Sequence, residues 1–272
     1  MRDKNNELET TTVTQDLLPE ERRKLIRHLI QEKGSIRTTE IAKQLKVNPV
    51  TVRRDLREMT AEEIDIRLVR GGAIIASPAQ PVTTINDLDS KRTANIDAKT
   101  QIAKKAINMI NDGDIIALPS GSTVELIIEN LPQDFQSLTL VTFSLNVAHR
   151  AAKLPYIELI VPGGVLRRSS QAFIGQHALN LISTLRIDKG FFGAQAVDVD
   201  AGFTETHLEE ATLNRELIKI CTHSYLTADS SKFGRVALAR ICDLDEFDGL
   251  IVDDYVPETI RSWALATGVP LI

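Results

Sequence analysis

Three short loops in the later part of the chain carry hydroxyls, glycines and a cation in the combination that holds an anion. Ser120-Gly121-Ser122-Thr123 offers hydroxyls and a flexible backbone at a helix start, Thr142-Phe143-Ser144 adds two more hydroxyls, and Asp229-Ser230-Ser231-Lys232 adds hydroxyls and an ammonium. A helix start presents free N–H groups to a phosphate, and hydroxyls complete its hydrogen bonding. Each loop taken alone is ordinary turn and cap chemistry. Together they can surround a small phosphorylated, polyhydroxylated molecule. A second chemistry lies near the N-terminus, where Thr51, Arg53, Arg54 and Arg57 follow Asn48-Pro49 within ten residues. That set suits the phosphates and base edges of a DNA duplex. Glu205, Glu209, Glu210 and Asp229 are the residues that could move a proton as an acid or base.

The basic residues need a helix to present them. Ile41, Ala42 and Leu45 fall on one face of a short helix, Val47 plugs a turn, and Val52 and Leu56 form an apolar stripe at spacing four. Asn48 is a helix N-cap, and Pro49 suits the first helical position, where its missing N–H costs nothing. The pattern predicts a helix, a tight turn and a basic second helix, the layout that reads a major groove. A preceding helix is predicted over about 20–32, with Leu25, Ile26, Leu29 and Ile30 on one side and a stop at Gly34. Residues 64–75 alternate apolar and polar types and break at Gly71-Gly72, which reads as a β wing beside Arg67 and Arg70.

Composition divides the chain in the same place. Residues 21–70 hold 13 Lys and Arg against 8 Asp and Glu, whereas the whole chain has a net charge of −5. A basic segment on an acidic protein is a local footprint for a polyanion. At 272 residues with 43% hydrophobic content, the chain can bury one sizeable core and a small second one. Two cysteines, Cys221 and Cys242, have neither metal-finger nor redox-pair spacing and read as free, buried thiols. The five histidines, at 28, 149, 177, 207 and 223, show no metal-ligand spacing. Neither a metal nor a cofactor is expected. No apolar run approaches a membrane span and no leader is evident, so a soluble, cytoplasmic protein with no membrane partner is expected.

The domain organisation predicted is a disordered arm over 1–17, a winged helix-turn-helix domain over 18–76, a Pro-containing linker over 77–90, and a sensing and oligomerisation domain over 91–272. The last domain reads as strands alternating with helices: a helix at 98–111, then apolar runs at 114–118, 138–142, 157–161, 190–193, 225–228 and 249–252. Short continuous apolar runs between helices imply an α/β fold with a mostly parallel sheet covered on both faces. Ligands bind such sheets beyond the C-terminal ends of the strands, where the three hydroxyl loops fall.

Over nearly its whole length the sequence resembles the DeoR-type bacterial transcriptional regulators. The matching residues are Val50-Thr51-Val52-Arg53-Arg54-Asp55-Leu56, Arg70-Gly71-Gly72-Ala73, Ser120-Gly121-Ser122-Thr123, Val141-Thr142-Phe143-Ser144-Leu145, Gly163-Gly164 and Ala228-Asp229-Ser230-Ser231-Lys232-Phe233-Gly234. The resemblance implies an N-terminal winged helix on operator DNA and a C-terminal sensor related to sugar-phosphate isomerases. It further implies a homo-oligomeric repressor of carbohydrate or nucleoside catabolism, relieved by a phosphorylated sugar. On this reading Thr38, Thr39, Asn48, Pro49, Thr51, Arg53, Arg54, Arg57 and Arg70 are the residues expected at DNA. Ser120, Gly121, Ser122, Thr123, Thr142, Ser144, Gly163, Gly164, Ser230, Ser231 and Lys232 are those expected at the effector, and none is expected to be catalytic. Pro119 stands where the family usually has Asp, Phe143 where Asn is common, and Lys46 where the helix turn often has Gly. The first two remove polar groups from the expected pocket. Two alternatives follow: an isomerase-like enzyme, which the loop Pro162-Gly163-Gly164-Val165 does not favour, and a DNA-binding regulator with a degenerate sensor.

Overall fold

The computed structural model describes residues 17–62, 65–75, 79–82 and 88–272. The expected arm lies almost wholly outside the described residues. In the N-terminal domain, α1 (Pro19–Lys33) ends at Gly34, whose φ of 67° is the left-handed cap that lets the chain turn into β1 (Ser35–Arg37). α2 (Thr38–Leu45) ends at Lys46, also left-handed at φ 52°, which meets without glycine the turn that usually carries one. α3 (Pro49–Glu62) begins where expected, with Asn48 Oδ1 accepting from the Val50 N–H at 2.8 Å. β2 (Ile66–Val69) and β3 (Gly72–Ile75) form the wing, and β1 completes a three-stranded sheet in the order β1-β3-β2. Ile26, Ile30, Ile41, Val52, Leu56, Met59 and Ile66 make its core. Within that core Arg22 and Asp55 are themselves buried and joined by two hydrogen bonds, a polar strut between α1 and α3.

β4 (Gln80–Pro81) lies within the expected linker, and α4 (Leu88–Thr93) begins in its last residues and runs across the expected boundary at 90. The larger domain then runs α5 (Ile96–Ile107), β5 (Ile115–Ala117), α6 (Ser122–Glu129), β6 (Leu138–Val141), α7 (Leu145–Ala151) and β7 (Ile157–Ile160). A hairpin of β8 (Val165–Arg167) and β9 (Ala172–Ile174) follows, then α8 (Gln176–Ile182), β10 (Ile187–Gly193), β11 (Ala196–Asp198), β12 (Gly202–Glu205) and α9 (Leu208–Ile220). β13 (Cys221–Ala228), β14 (Arg235–Val236), β15 (Ala239–Cys242), β16 (Gly249–Val252) and α10 (Glu258–Thr267) finish the chain.

Six strands form one sheet in the order β16-β13-β10-β5-β6-β7, and every pairing in it is parallel. α5, α6 and α7 pack one apolar cluster against it, and α8, α9 and α10 contribute to the other. Burial on both faces explains the continuous apolar runs that mark the strands in the sequence. Strand order reverses between β5 and β10, the switch point at which two neighbouring connections leave in opposite directions and open a crevice.

The wing domain sits on α10. Both Nε and Nη2 of Arg37 donate to the Leu265 carbonyl, at 3.1 and 2.8 Å, and Ile74 is buried in the core of the larger domain. Arg67 pairs with Asp200 at 2.9 Å, and Arg70 approaches Asp245 at 3.5 Å.

Candidate effector cleft and nucleic-acid interface

The crevice at the switch point is lined by the loop after β5, the loop after β10, and side chains delivered from outside the sheet. Ser120, Gly121, Ser122 and Thr123 stand together at the start of α6 as expected, and Lys232 faces them. Gly121 has φ 142°, a conformation that favours glycine, and so aims the first turn of α6 at the cleft. Gly193, Ala194 and Gln195 also line the cleft, with Gly193 packed close beside Gly121.

Charged groups complete the lining. The buried carboxylate of Glu210 on α9 accepts from Arg167 Nη1 at 2.8 Å, Ser170 Oγ at 2.6 Å and Ser120 Oγ at 3.2 Å. This network ties the β8–β9 hairpin to the phosphate loop. Glu205, at the end of β12, accepts from the Thr206 N–H and hydroxyl at 2.6 and 2.9 Å. Burial, reinforced by the neighbouring Glu210 charge, raises the Glu205 carboxyl above the ordinary carboxylate range. Lys91, on α4, donates to Gln195 Oε1 at 2.7 Å, and burial pulls its ammonium below the usual lysine value. The cleft thus has three cations, two carboxyls and a helix N-terminus, a set able to orient an anion and its hydroxyls.

Other residues expected here lie elsewhere. Thr142 and Ser144 are buried and used locally: Thr142 Oγ1 accepts from the Ser144 N–H at 3.0 Å, and Ser144 caps α7 by accepting from the Val147 N–H at 3.3 Å. Gly163 and Gly164 precede β8. A Cβ on Gly164 would lie 2.4 Å from the Ile174 carbonyl, so glycine there permits the hairpin that carries Arg167. The Ser230 N–H donates to Asp253 at 2.7 Å, and the exposed Ser231 bonds Asp229 and Asn95; neither is among the cleft-lining residues. Pro119 and Phe143 are buried and do not line the cleft either, so its polar wall comes from Arg167, Ser170, Glu205, Thr206 and Glu210 instead. Arg167, Ser169, Ser170, Gln195, Thr206 and Lys91 are absent from the sequence-based set because no local spacing links them to the phosphate loop.

At the other end, Arg53, Arg54 and Arg57 project from α3 into solvent, with Asn48 and Pro49 exposed at its start and Thr51 half-buried. Thr39 and Arg70 are exposed, but Thr38 is buried under the wing, its N–H donating to the Gly71 carbonyl at 2.7 Å. The arginines form one open basic face.

A family model described as the DeoR C-terminal sensor domain matches residues 94–254, and one described as a DeoR-like helix-turn-helix domain matches residues 22–79. The chain belongs to the DeoR family. It is 31% identical over 252 residues to a protein of Escherichia coli O157:H7 named as an aga operon transcriptional repressor, covering 93% of each chain. It is 33% identical to a lactose phosphotransferase system repressor of Staphylococcus epidermidis, covering 84% of this chain and 90% of that one. A solved ribose 5-phosphate isomerase A of Methanocaldococcus jannaschii is similar with a TM-score of 0.39 and 20% identity over 52% of this chain and 55% of its own. As a DeoR-family member, the chain is a sequence-specific DNA-binding transcriptional regulator.

Among the described residues no group of three metal-ligating side chains is close enough to hold an ion, and no helix is long and apolar enough to cross a membrane. Cys221 and Cys242 are free, the first half-buried and the second buried.

Proposed function

We propose that this DeoR-family chain represses a carbohydrate or nucleoside catabolic operon in the bacterial cytoplasm and that a phosphorylated sugar in the switch-point cleft relieves repression. The observation that carries this reading is the meeting of Lys232 with the Ser120–Thr123 loop at the start of α6. Phosphate takes up the free N–H groups and the ammonium, while Glu210, Ser170 and Thr206 accept and donate to sugar hydroxyls. Arg53, Arg54, Arg57 and Thr51 carry the DNA contact, with exposed Arg70 beside them. The repressor names of the relatives support the sign of regulation.

The chain is not an enzyme on this reading. An isomerase needs a carboxylate free to take a proton from its substrate. Glu210 is held by Arg167, Ser170 and Ser120, and Glu205 is folded back onto Thr206. Relief of repression requires different affinities for the sugar phosphate in DNA-competent and DNA-incompetent states, which a homo-oligomer provides by changing the spacing of its DNA-binding heads.

The test is binding of the purified protein to its own upstream DNA at fixed salt, with and without ribose 5-phosphate and hexose 6-phosphates. Specific binding released by one of them is the expected result. No specific binding under any condition overturns the regulator reading, and binding that no sugar phosphate alters leaves a sensor used for assembly alone.

A further inference from the structure

Lys91 lines the cleft from α4, the first helix after the segment that joins the two domains. Its situation differs from that of the other cations. Arg167 is neutralised by Glu210 at 2.8 Å, whereas the hydrogen bond of Lys91 goes to the neutral amide of Gln195. Lys91 is half-buried, and burial lowers its ammonium more than the surrounding charges do, Glu205 and Glu210 favouring the charge while Lys232 and Arg167 act against it. A half-buried ammonium whose hydrogen bond goes to a neutral amide gains a charged partner when an anion joins it. The helix that carries the amine is also fixed in place. Buried Lys99 donates to the Lys91 and Ala94 carbonyls, closing the end of α4, and Arg92 Nε donates to buried Glu125 of α6 at 2.8 Å. α4 is therefore mounted on the helix whose start forms the phosphate loop.

The opposite cation is mounted differently. Lys232 ends the single 3-10 turn Ser230–Lys232, and the chain continues within three residues into β14. β14 holds the interdomain segment: the Gln80 N–H donates to the Gly234 carbonyl and the Val82 N–H to the Val236 carbonyl, both at 2.8 Å. The path from cleft to connector is five residues long.

We infer that Lys91 is an effector-binding residue, and that a phosphorylated ligand held between Lys91 and Lys232 draws the Lys232 turn, and with it the interdomain strand, against the fixed α4. The inference rests on the sugar-phosphate reading of the cleft. It makes the ladder between β4 and β14 the element through which cleft occupancy reaches the wing domain, since the connector leads into the helix that carries Lys91 and pairs with the strand that follows Lys232.

The test uses the full-length protein with ribose 5-phosphate, glucose 6-phosphate, galactose 6-phosphate and inorganic phosphate as probes. Thermal melts against ligand concentration give affinity by mass action. Lys91→Gln is expected to melt no lower than the wild type without ligand and to bind the active sugar phosphate about tenfold or more weakly, while Lys91→Arg retains most of the affinity. Val82→Pro deletes the donor to Val236 and is expected to keep both sugar-phosphate affinity and ligand-free DNA affinity while losing most of the ligand's effect on DNA. Wild-type affinity in Lys91→Gln overturns the assignment of Lys91, and a full DNA response in Val82→Pro overturns the route. Failure of every sugar phosphate to shift the wild-type melt overturns the reading of the cleft itself, and the inference with it.

Discussion

Removal of Asp55 should cripple the DNA-binding domain even though the residue never faces DNA. Asp55 is fully buried on α3, and its two oxygens accept from Nε and Nη2 of Arg22 on α1, the second at 2.9 Å. The Arg22 side chain is 8% exposed, and its remaining described bond is to the Leu17 carbonyl at 3.1 Å. Asp55→Ala leaves the guanidinium buried with that one carbonyl, and breaking a buried pair on one side costs about 3–5 kcal/mol. Whole domains are stable by only about 5–15 kcal/mol, and a domain of this size lies at the lower end. The winged helix of Asp55→Ala should therefore unfold at low urea while the sensor retains its transition. Replacing both partners by apolar residues, Arg22→Met with Asp55→Leu, removes the charge as well as its partner and should recover most of the loss. The assay is urea unfolding of the full chain followed by helical circular dichroism, with operator binding as a second readout. A single variant within about 1 kcal/mol of wild type refutes the argument, as does a double variant no better than the single.

Arg54→Ala should leave stability within about 0.5 kcal/mol, because Arg54 is exposed and its i,i+4 partner Glu58 stands 3.9 Å away. It should weaken operator binding by about 1–3 kcal/mol and relax preference at one base pair, read by titration against single-base operator variants; unchanged affinity removes it from the interface. Glu205→Gln should stabilise the sensor at neutral pH. A carboxyl raised above its unfolded value binds more protons when folded, so its contribution falls as pH rises from the ordinary Glu range through the raised one. Denaturation between pH 4 and pH 8 should show a flatter profile in the variant over that window, and an unchanged slope refutes the assignment. Burial, and then the charge of Asp248, push the Cys221 thiol up to about 12, and its Sγ lies 3.1 Å from the Leu217 carbonyl. Cys242 is pushed up by burial as well. At pH 8 iodoacetamide should label neither cysteine in the native protein and both after unfolding, since the thiolate is the reactive species; rapid native labelling contradicts the burial.

The parts of this molecule that can be read from the sequence are those whose constraint is local. Asn48, Pro49, Val52 and Leu56 fix the start and buried face of α3 within nine residues, and Gly34 and Gly71 mark the helix stop and wing turn by their own left-handed backbone. Strand centres are equally visible because burial on both faces forces continuous apolar runs. Their ends are not: β10 starts at Ile187, ahead of the expected 190, and β13 starts at Cys221, ahead of the expected 225. Both early portions carry polar residues, Asp188, Lys189 and His223, that hide the strand in a composition reading. Asp188 and Lys189 serve the neighbouring element, accepting from the Ile115 N–H at 2.9 Å and donating to Asp114 at 2.6 Å.

The cleft divides along the same line. The Ser120–Thr123 loop is legible because one strand end and one helix start make it, whereas Thr142 and Ser144 carry the same local signature yet turn inward as caps. A hydroxyl at a strand-to-helix turn satisfies a helix start and a ligand equally well in sequence terms. Topology decides between them: the β5 and β10 loops flank the point where strand order reverses and line the crevice, and Lys232 reaches it from the turn after β13, whereas the loop after β6 does not line it. The same reasoning identifies which unread residues belong to the site. Arg167 and Glu210 lie 43 positions apart and Lys91 and Gln195 lie 104 apart, so their pairing exists only after the sheet has formed. The cleft's charges thus stand on five separate elements, α4, the β8–β9 hairpin, the end of β12, α9 and the turn after β13. A ligand that engages them must couple those elements to one another.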